Sequence, residues 1–286
     1  MSTIGFLGLG AMGLPMAKRL CAAGHRLTVA VHSNPAPVKE LEKLGAKAVA
    51  GPEQVVADVD YVVSILPEDK QIREVLLAPA VLAAVRSDAI LIEMSSARST
   101  TVVELAAAYA EKGVRVLDAP VSGGVTGAED GSLTIMCGGD TAVLEAARSI
   151  LEIMGSKIHL VGGMGAGKNL KAVNNLLGAA NTVLAAEALS LVRKMGLDPK
   201  IAHQVISASS GQSYNFDHRF KRMARENFDG GFKLWLMKKD MRIALSEADG
   251  VAMPMSSLAY QLFQMADAAD ADLDYSVVAR IFDGAK

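Results

Sequence analysis

Thr3-Ile4-Gly5-Phe6-Leu7-Gly8-Leu9-Gly10-Ala11-Met12-Gly13 opens the chain, and its reading decides the fold. Thr3–Leu7 is a short, nearly continuous apolar run, the composition of a strand buried on both faces. Gly8 to Gly13 then fits the spacing G-x-G-x-x-G, and a helical pattern begins near Met12. Glycine makes up 26 of 286 residues, so the spacing alone is a weak signal. Its position between a strand and a helix, with a second strand ending about twenty residues later, gives it meaning. In such a loop Gly8 permits a tight turn, Gly10 lets the backbone approach a pyrophosphate, and Gly13 lets helix and strand pack closely. The helix N-terminus adds unpaired N–H donors and a partial positive charge. Gly8, Leu9, Gly10, Ala11, Met12 and Gly13 are therefore the expected dinucleotide-binding residues.

Working outward, further strand-like runs occur at Leu27–His32, Tyr61–Leu66, Ala89–Met94, Val114–Asp118, Leu133–Cys137 and Lys157–Val161. Helical patterns begin near Pro35 and near Thr101, where Glu104 is placed to complete a capping box with Thr101. Alternating β and α units predict a doubly wound, mostly parallel sheet flanked by helices, a Rossmann-like α/β domain. The pattern changes after Gly162-Gly163-Met164-Gly165. From Gly167 to Met195 no proline occurs, and at about 1.5 Å per residue such a helix reaches roughly 40 Å. Gly196, with Pro199 beyond it, is a standard stop. Helical stretches follow at Ala202–Ser209, Phe232–Ala248, Ser256–Ala269 and Ser276–Phe282, with no convincing strand. The expected domains are thus a nucleotide-binding half, 1–163, and an all-helical half for substrate and oligomer contacts, 164–286, joined by one long interdomain helix.

Composition narrows the function. The chain is 51% hydrophobic and 21% charged, ample for a core, and its net charge of −2 gives no basic field for nucleic acid or an anionic membrane surface. Cys21 and Cys137 are too few for a disulfide framework or a cysteine-built zinc site, and no metal site is expected; a reducing, cytoplasmic setting fits. The apolar N-terminus lacks a basic flank and is broken by glycines and Pro15, so it does not read as a signal peptide. Leu176–Val192, the most apolar long stretch, carries Asn181 and Glu187 and reads as a buried helix of a soluble protein. A helix apolar nearly all round buries more surface than one small domain can cover, which predicts a homodimer or homotetramer.

The end of the second strand bears on the cofactor. An NAD site usually carries Asp or Glu there to bind the ribose hydroxyls. Here the segment reads Val31-His32-Ser33-Asn34-Pro35, and the first acid afterwards is Glu40. His32, Ser33 and Asn34 could donate to a 2′-phosphate, yet no arginine stands by to grip it. The balance tips slightly toward NADP, with both cofactors usable.

Lys171 is the residue to which proton chemistry is assigned. It lies one turn into the long helix, with Asn174 and Asn175 at i+3 and i+4 on its face. A lysine on an otherwise apolar helix near a domain junction is where desolvation lowers an ammonium pKa. Hydride removal from an alcohol needs a base for the hydroxyl proton, and reduction needs the same group as an acid. Neighbouring Lys168 reads as an ordinary solvated helix lysine. Ser122-Gly123-Gly124 follows a strand end, where small residues leave backbone N–H groups free to form an anion nest. Phe232, Trp235, Leu236, Lys239 and Ile243 form one apolar helical stripe with Lys239 inside it, whereas Asp240 points about 100° away around the helix. His25, His159, His203 and His218 have no metal-ligand spacing and read as surface or packing residues.

With these residues in view, the chain resembles the 3-hydroxyisobutyrate dehydrogenase (β-hydroxyacid dehydrogenase) family, which includes tartronate semialdehyde reductases. Ordered blocks spanning nearly the full length carry the likeness: Ile4–Gly13; Asp118-Ala119-Pro120-Val121-Ser122-Gly123-Gly124; Gly165-Ala166-Gly167 with Lys171 and Asn174-Asn175; and Phe232 through Leu236 to Lys239-Asp240. The resemblance implies a lysine acid/base at Lys171, oriented together with substrate by Asn174 or Asn175. It implies a substrate carboxylate on Ser122, Gly123 and Gly124. Ser96 is implied to contact substrate or the nicotinamide end, Leu66 and Pro67 to lie along the cofactor, Lys239 to reach its end of the cleft, and Asp240 to support the site. The implied substrate is a small anionic hydroxy acid. A 6-phosphogluconate dehydrogenase-like enzyme would have a longer helical half and phosphate-gripping arginines. An imine reductase usually lacks the lysine, and a catalytically silent NADP(H)-binding protein has no need of Lys171, Ser122 and the asparagine pair.

Overall fold

The apolar runs that alternate with amphipathic stretches fold as they must, with strands buried between two layers of helix. The computed structural model describes residues 1–283. By internal packing the chain divides into two units, Met1–Lys171 and the residues from Ala172 onward.

The first unit runs β1 (Thr3–Leu7), α1 (Gly13–Ala22), β2 (Arg26–Ala30), α2 (Ala36–Glu42), β3 (Lys47–Val49), α3 (Pro52–Val56), β4 (Tyr61–Ser64), α4 (Asp69–Leu76) and α5 (Pro79–Ala84). It continues through β5 (Ile90–Glu93), α6 (Ser99–Ala110), β6 (Arg115–Asp118), β7 (Val121–Ser122), α7 (Gly124–Asp130), β8 (Leu133–Gly138), α8 (Thr141–Met154) and β9 (Gly155–Gly162). The sheet order is β3-β2-β1-β4-β5-β6-β8-β7, with β9 beside β8. Neighbours from β3 to β6 are parallel; β8 runs antiparallel to β6 and β7, and β9 is parallel to β8. One layer of core, with Met16, Leu20, Leu144 and Ile150, covers one face of the sheet. Another, with Val55, Ile72, Leu105 and Tyr109, covers the other. The chain moves outward from β1 to β2 and β3, then returns to β4 on the opposite side of β1. That reversal leaves a crevice at the carboxyl ends of β1 and β4, the usual ligand position in such sheets.

Helix α9 (Ala166–Lys194) continues from the first unit into the second. It is long and apolar enough to cross a membrane by length and composition, but half of that stretch is buried within the protein. Then come α10 (Pro199–Ser207), α11 (Tyr214–Ala224), α12 (Leu234–Ser246), α13 (Pro254–Met265), short 3-10 turns at Ala268–Asp270 and Tyr275–Ala279, and α14 (Arg280–Asp283). Phe220, Met237, Met241, Phe263 and Val278 centre this unit's core. The fully buried Asp274 pins its loops, accepting from Arg219 Nη1 at 2.6 Å, Phe232 N–H at 3.0 Å and Ser276 Oγ at 2.6 Å.

Several local expectations are corrected. The capping box is absent: α6 begins at Ser99, and no side chain caps it from Arg98. Asp69 of α4 instead accepts from Thr101 Oγ1 and Arg98 N–H, while Glu104 pairs with Arg73. Packing against α4 thus outcompetes a local cap. The expected Ser276–Phe282 helix starts as a 3-10 turn. Strands β3 and β7 and helices α3, α4, α5, α7, α8 and α11 add to the elements read from sequence.

Candidate active site

Within the first unit, the expected site residues gather at the carboxyl ends of the parallel strands. Gly8 follows β1 with φ +100°, a conformation open to glycine and costly for other residues. A Cβ at Gly13 would enter the carbonyl oxygen of Gly8, so the close packing of strand end on helix requires glycine there. Gly10 has open space where its side chain would be. Leu14 N–H bonds Gly10 C=O at 3.0 Å, leaving the preceding amides of the turn without intrahelical acceptors. A gap over Gly10 and donors around it suit the pyrophosphate of a dinucleotide.

Strand β2 ends at Ala30, so His32, Ser33 and Asn34 lie beyond it, all exposed. Asn34 Oδ1 accepts from Ala36 N–H at 3.0 Å. Glu40 is engaged by Lys18, which lowers its carboxyl pKa through that bond and its charge. Leu66 and Pro67 follow β4, and Ser96 follows β5, half-buried. Ser96 does not cap a helix, since α6 starts later. Beside it, Ser95 Oγ accepts from Leu66 N–H at 2.7 Å and so ties the two strand ends together.

Ser122 closes β7, and Gly123 and Gly124 carry φ of +138° and +65° at the start of α7. Both glycines are exposed. Successive glycines with positive φ are the kind of backbone in which amides can form an anion nest.

Lys171 is 9% exposed in the second turn of α9. Lys168, expected in solvent, is instead 2% exposed. Its ammonium meets Glu93 Oε2 at 2.5 Å, Asp118 Oδ1 at 3.2 Å and the Glu93 carbonyl at 3.0 Å, while its backbone N–H donates to Asp118 Oδ2 at 3.1 Å. The physical reason lies in the strands: Glu93 and Asp118 end β5 and β6 side by side in register. Carboxylates buried there need a cation. Burial works against the ammonium of Lys168, but the two carboxylates outweigh it and hold its pKa above the ordinary lysine value. Burial raises the carboxyl of Asp118 despite the lysine beside it. The sequence did carry a signal for this cluster: an acid closing each of two apolar runs, Ile90-Leu91-Ile92-Glu93 and Val116-Leu117-Asp118.

In the second unit, Asn175 is buried and donates from Nδ2 to Asp240 Oδ2 at 2.5 Å. Asn174 is exposed and donates to Asn175 Oδ1 at 3.1 Å. Lys239 is buried as its stripe implied, but the expectation that Asp240 points away from it is corrected. The two side chains meet, with Lys239 Nζ 3.1 Å from Asp240 Oδ1.

Other groups take packing roles. His203 stacks on Phe216, and His218 on Tyr214. Burial pushes the Cys137 thiol up to about 12, far from a reactive thiolate. No cluster of metal-ligating side chains occurs among the described residues.

Comparison with known proteins agrees along the whole chain. Residues 3–163 match the family described as the NAD binding domain of 6-phosphogluconate dehydrogenase. Residues 165–282 match the family described as NAD-binding of NADP-dependent 3-hydroxyisobutyrate dehydrogenase. The chain is 39% identical to 2-(hydroxymethyl)glutarate dehydrogenase of Eubacterium barkeri, covering 91% of this chain and 88% of the relative. It is 37% identical to 3-hydroxyisobutyrate dehydrogenase of Pseudomonas aeruginosa, covering 99% of each. A Mycobacterium tuberculosis 3-hydroxyisobutyrate dehydrogenase solved with L-serine superposes with TM-score 0.89 at 34% identity, over 98% of this chain and 99% of the other. A Streptomyces aurantiacus imine reductase shares the fold alone, at TM-score 0.65 and 22% identity, over 98% of this chain and 99% of the other.

Proposed function

As this chain belongs to the 3-hydroxyisobutyrate dehydrogenase (β-hydroxyacid dehydrogenase) family, we propose that it interconverts a small β-hydroxy acid and its semialdehyde or β-keto acid, with Lys171 as the acid/base. It is an NAD(P)-dependent oxidoreductase. The observation that carries the assignment of Lys171 is its burial in α9, one helical turn before the buried Asn175.

When bound at the glycine loop, NAD(P) supplies the hydride acceptor in oxidation and the donor in reduction. Gly8 to Gly13 hold its pyrophosphate, with Leu66, Pro67, Ser96 and Lys239 as further cofactor contacts. His32, Ser33 and Asn34 offer donors for a 2′-phosphate, and Glu40, the first acid after them in sequence, is paired with Lys18, which supports NADP as well as NAD. Ser122, Gly123 and Gly124 hold the substrate carboxylate. The amine of Lys171 takes the hydroxyl proton as the carbinol carbon is oxidised and returns it on reduction. Asn175, rather than the exposed Asn174, is the orienting amide, and Asp240 holds it through the bond to Nδ2. The glycine-loop cofactor contacts fall in residues 1–163, and Lys171, Asn175 and the oligomer contacts in 164–286, while Ser122, Gly123 and Gly124 reach the substrate from 1–163 and Lys239 reaches the cofactor from 164–286. Two free thiols support a cytoplasmic location.

The test is absorbance at 340 nm. NADH and NADPH are paired with small semialdehydes, and NAD⁺ and NADP⁺ with L-serine, 3-hydroxyisobutyrate, glycerate, threonate and 3-hydroxypropionate. At least one acid is expected to turn over. Tight NADPH binding without turnover of any of them would favour a silent binding protein.

The enzyme is further proposed to be a homodimer or homotetramer. Leu170, Leu177, Leu184 and Leu191 recur every seven residues along α9, and each is at least 42% exposed. A row of exposed leucines on one helix face is what a second copy would cover. Sedimentation at micromolar concentration is expected to give a multiple of the 30.0 kDa chain mass; a monomeric mass would contradict this.

A further inference from the structure

We propose that Lys168 is a positioning residue, whose ammonium between Glu93 and Asp118 locks the first turn of α9 onto the ends of β5 and β6 and so fixes where Lys171 delivers its amine. This rests on the assignment of Lys171 as the acid/base.

Residues three apart on a helix are neighbours on one face, so whatever anchors Lys168 also sets the position of Lys171. The anchor has four contacts. The ammonium bonds the side chain and the carbonyl of Glu93 and the side chain of Asp118, and the backbone N–H of Lys168 bonds Asp118 as well. Seating of the turn is also close. A Cβ at Gly167 would run into the Met136 carbonyl and the Asp118 carboxylate, and one at Gly138 would approach Asp118 and the Gly167 amide within 3 Å. Glycine at both positions lets the start of α9 rest directly on β8 and the Asp118 side chain.

The same cluster reaches the cofactor side of the unit. Glu93 Oε1 accepts from Ser95 N–H at 3.1 Å and from Ser64 Oγ at 3.4 Å. Ser95 Oγ in turn accepts from Leu66 N–H. One buried cation therefore joins the ends of β4, β5 and β6 to the first turn of α9, directly ahead of Lys171. Apolar residues of similar volume are often as stabilising as a buried ion cluster or more so, because desolvation offsets the attraction. What such a cluster supplies beyond them is directional geometry, here at the edge of the sheet where ligands bind.

The experiment compares Lys168→Gln, Glu93→Gln and Lys171→Ala with wild type, using the panel acid turned over fastest. Readouts are kcat, KM, the primary isotope effect with deuterated substrate, NADPH affinity by fluorescence, and amide hydrogen exchange at residues 166–171. Folded K168Q is expected to lose about 10- to 100-fold in kcat, the scale of an ångström-sized misplacement. Its isotope effect should rise, exchange at 166–171 should quicken, and the NADPH dissociation constant should stay within about threefold, because the glycine loop is untouched. Folded K168Q with wild-type kcat and isotope effect overturns the proposal. If K168Q fails to fold, E93Q, which keeps the Lys168–Asp118 pair, decides: a kcat loss of about fivefold or more supports positioning, and wild-type kcat overturns it. Active K171A would instead remove the acid/base assignment. Inactive K171A beside wild-type K168Q would remove only the positioning role.

Discussion

Replacement of Lys171 by alanine is expected to lower kcat by about 10²- to 10⁴-fold, the range general acid–base groups contribute, while NADPH binds almost as before. The asymmetry follows from where the groups sit. In the proposed site the pyrophosphate is held by the amides around Gly10, none of which depends on Lys171. The proton, in contrast, has one proposed carrier. Water can enter the space left by the side chain, but it lacks the fixed placement of the amine. Lys171→Arg keeps the positive charge and is expected to be nearly as inactive, since a guanidinium does not give up its proton at these pH values. Steady-state rates at 340 nm and fluorescence titration with NADPH separate the two effects. A K171A enzyme within a few-fold of wild-type kcat would mean that the proton travels by another route.

The second large effect is on stability. Lys168→Met is expected to destabilise the protein by about 3–5 kcal/mol near pH 8, the scale of breaking a buried ion pair by removing one partner. A domain has only about 5–15 kcal/mol in total, so this variant would lie close to unfolding. The deficit should shrink toward pH 5.5. Without the lysine, Asp118 is buried beside Glu93 with no counter-charge from Lys168, and desolvation and the neighbouring carboxylate raise its folded-state pKa further. A carboxyl whose folded pKa lies above its unfolded one contributes most stability below the unfolded value and loses it as pH rises through the folded value. Asp118 is already raised by burial in the wild type, where Lys168 partly offsets the shift. Thermal midpoints of wild type and K168M at pH 5.5 and pH 8 provide the check. A deficit that is equal at both pH values, or larger at the lower one, would show that the carboxylates are not the cause.

How far the sequence was legible depended on whether each signal was local. The opening strand, the glycine loop and α9 follow from periodicity and glycine placement within short windows. Helix α9 ends where Gly196 adopts φ +70° and Leu197 N–H bonds the Val192 carbonyl, a stop readable from the glycine alone. Helix α8, where no helix was expected, was nonetheless readable, with Val143, Leu144, Ala147, Ile150, Leu151 and Met154 at helical spacing and Asp140 capping it. Strands β3 and β7, of three and two residues, were not, because they are held by neighbouring strands rather than by their own composition. Lys168 is the instructive case. Three residues from Lys171 on the same helix, it looked solvent-facing because its partners are 75 and 50 residues away in sequence. The burial of Asn175 and its bond to Asp240, on another helix, which support the proposal of Asn175 over Asn174, had no local signal either. The Thr101–Glu104 pair fitted a local pattern that contacts from α4 overrode.

The most direct measurement of the central claim is a crystal structure with NADP⁺ and the preferred hydroxy acid both bound. Lys171 Nζ is expected within about 2.6–3.2 Å of the substrate hydroxyl oxygen, the reach of a proton-transferring group, with the carboxylate on Ser122, Gly123 and Gly124. An amine turned away from that oxygen in every subunit, with another side chain bonded to the hydroxyl, would contradict the assignment.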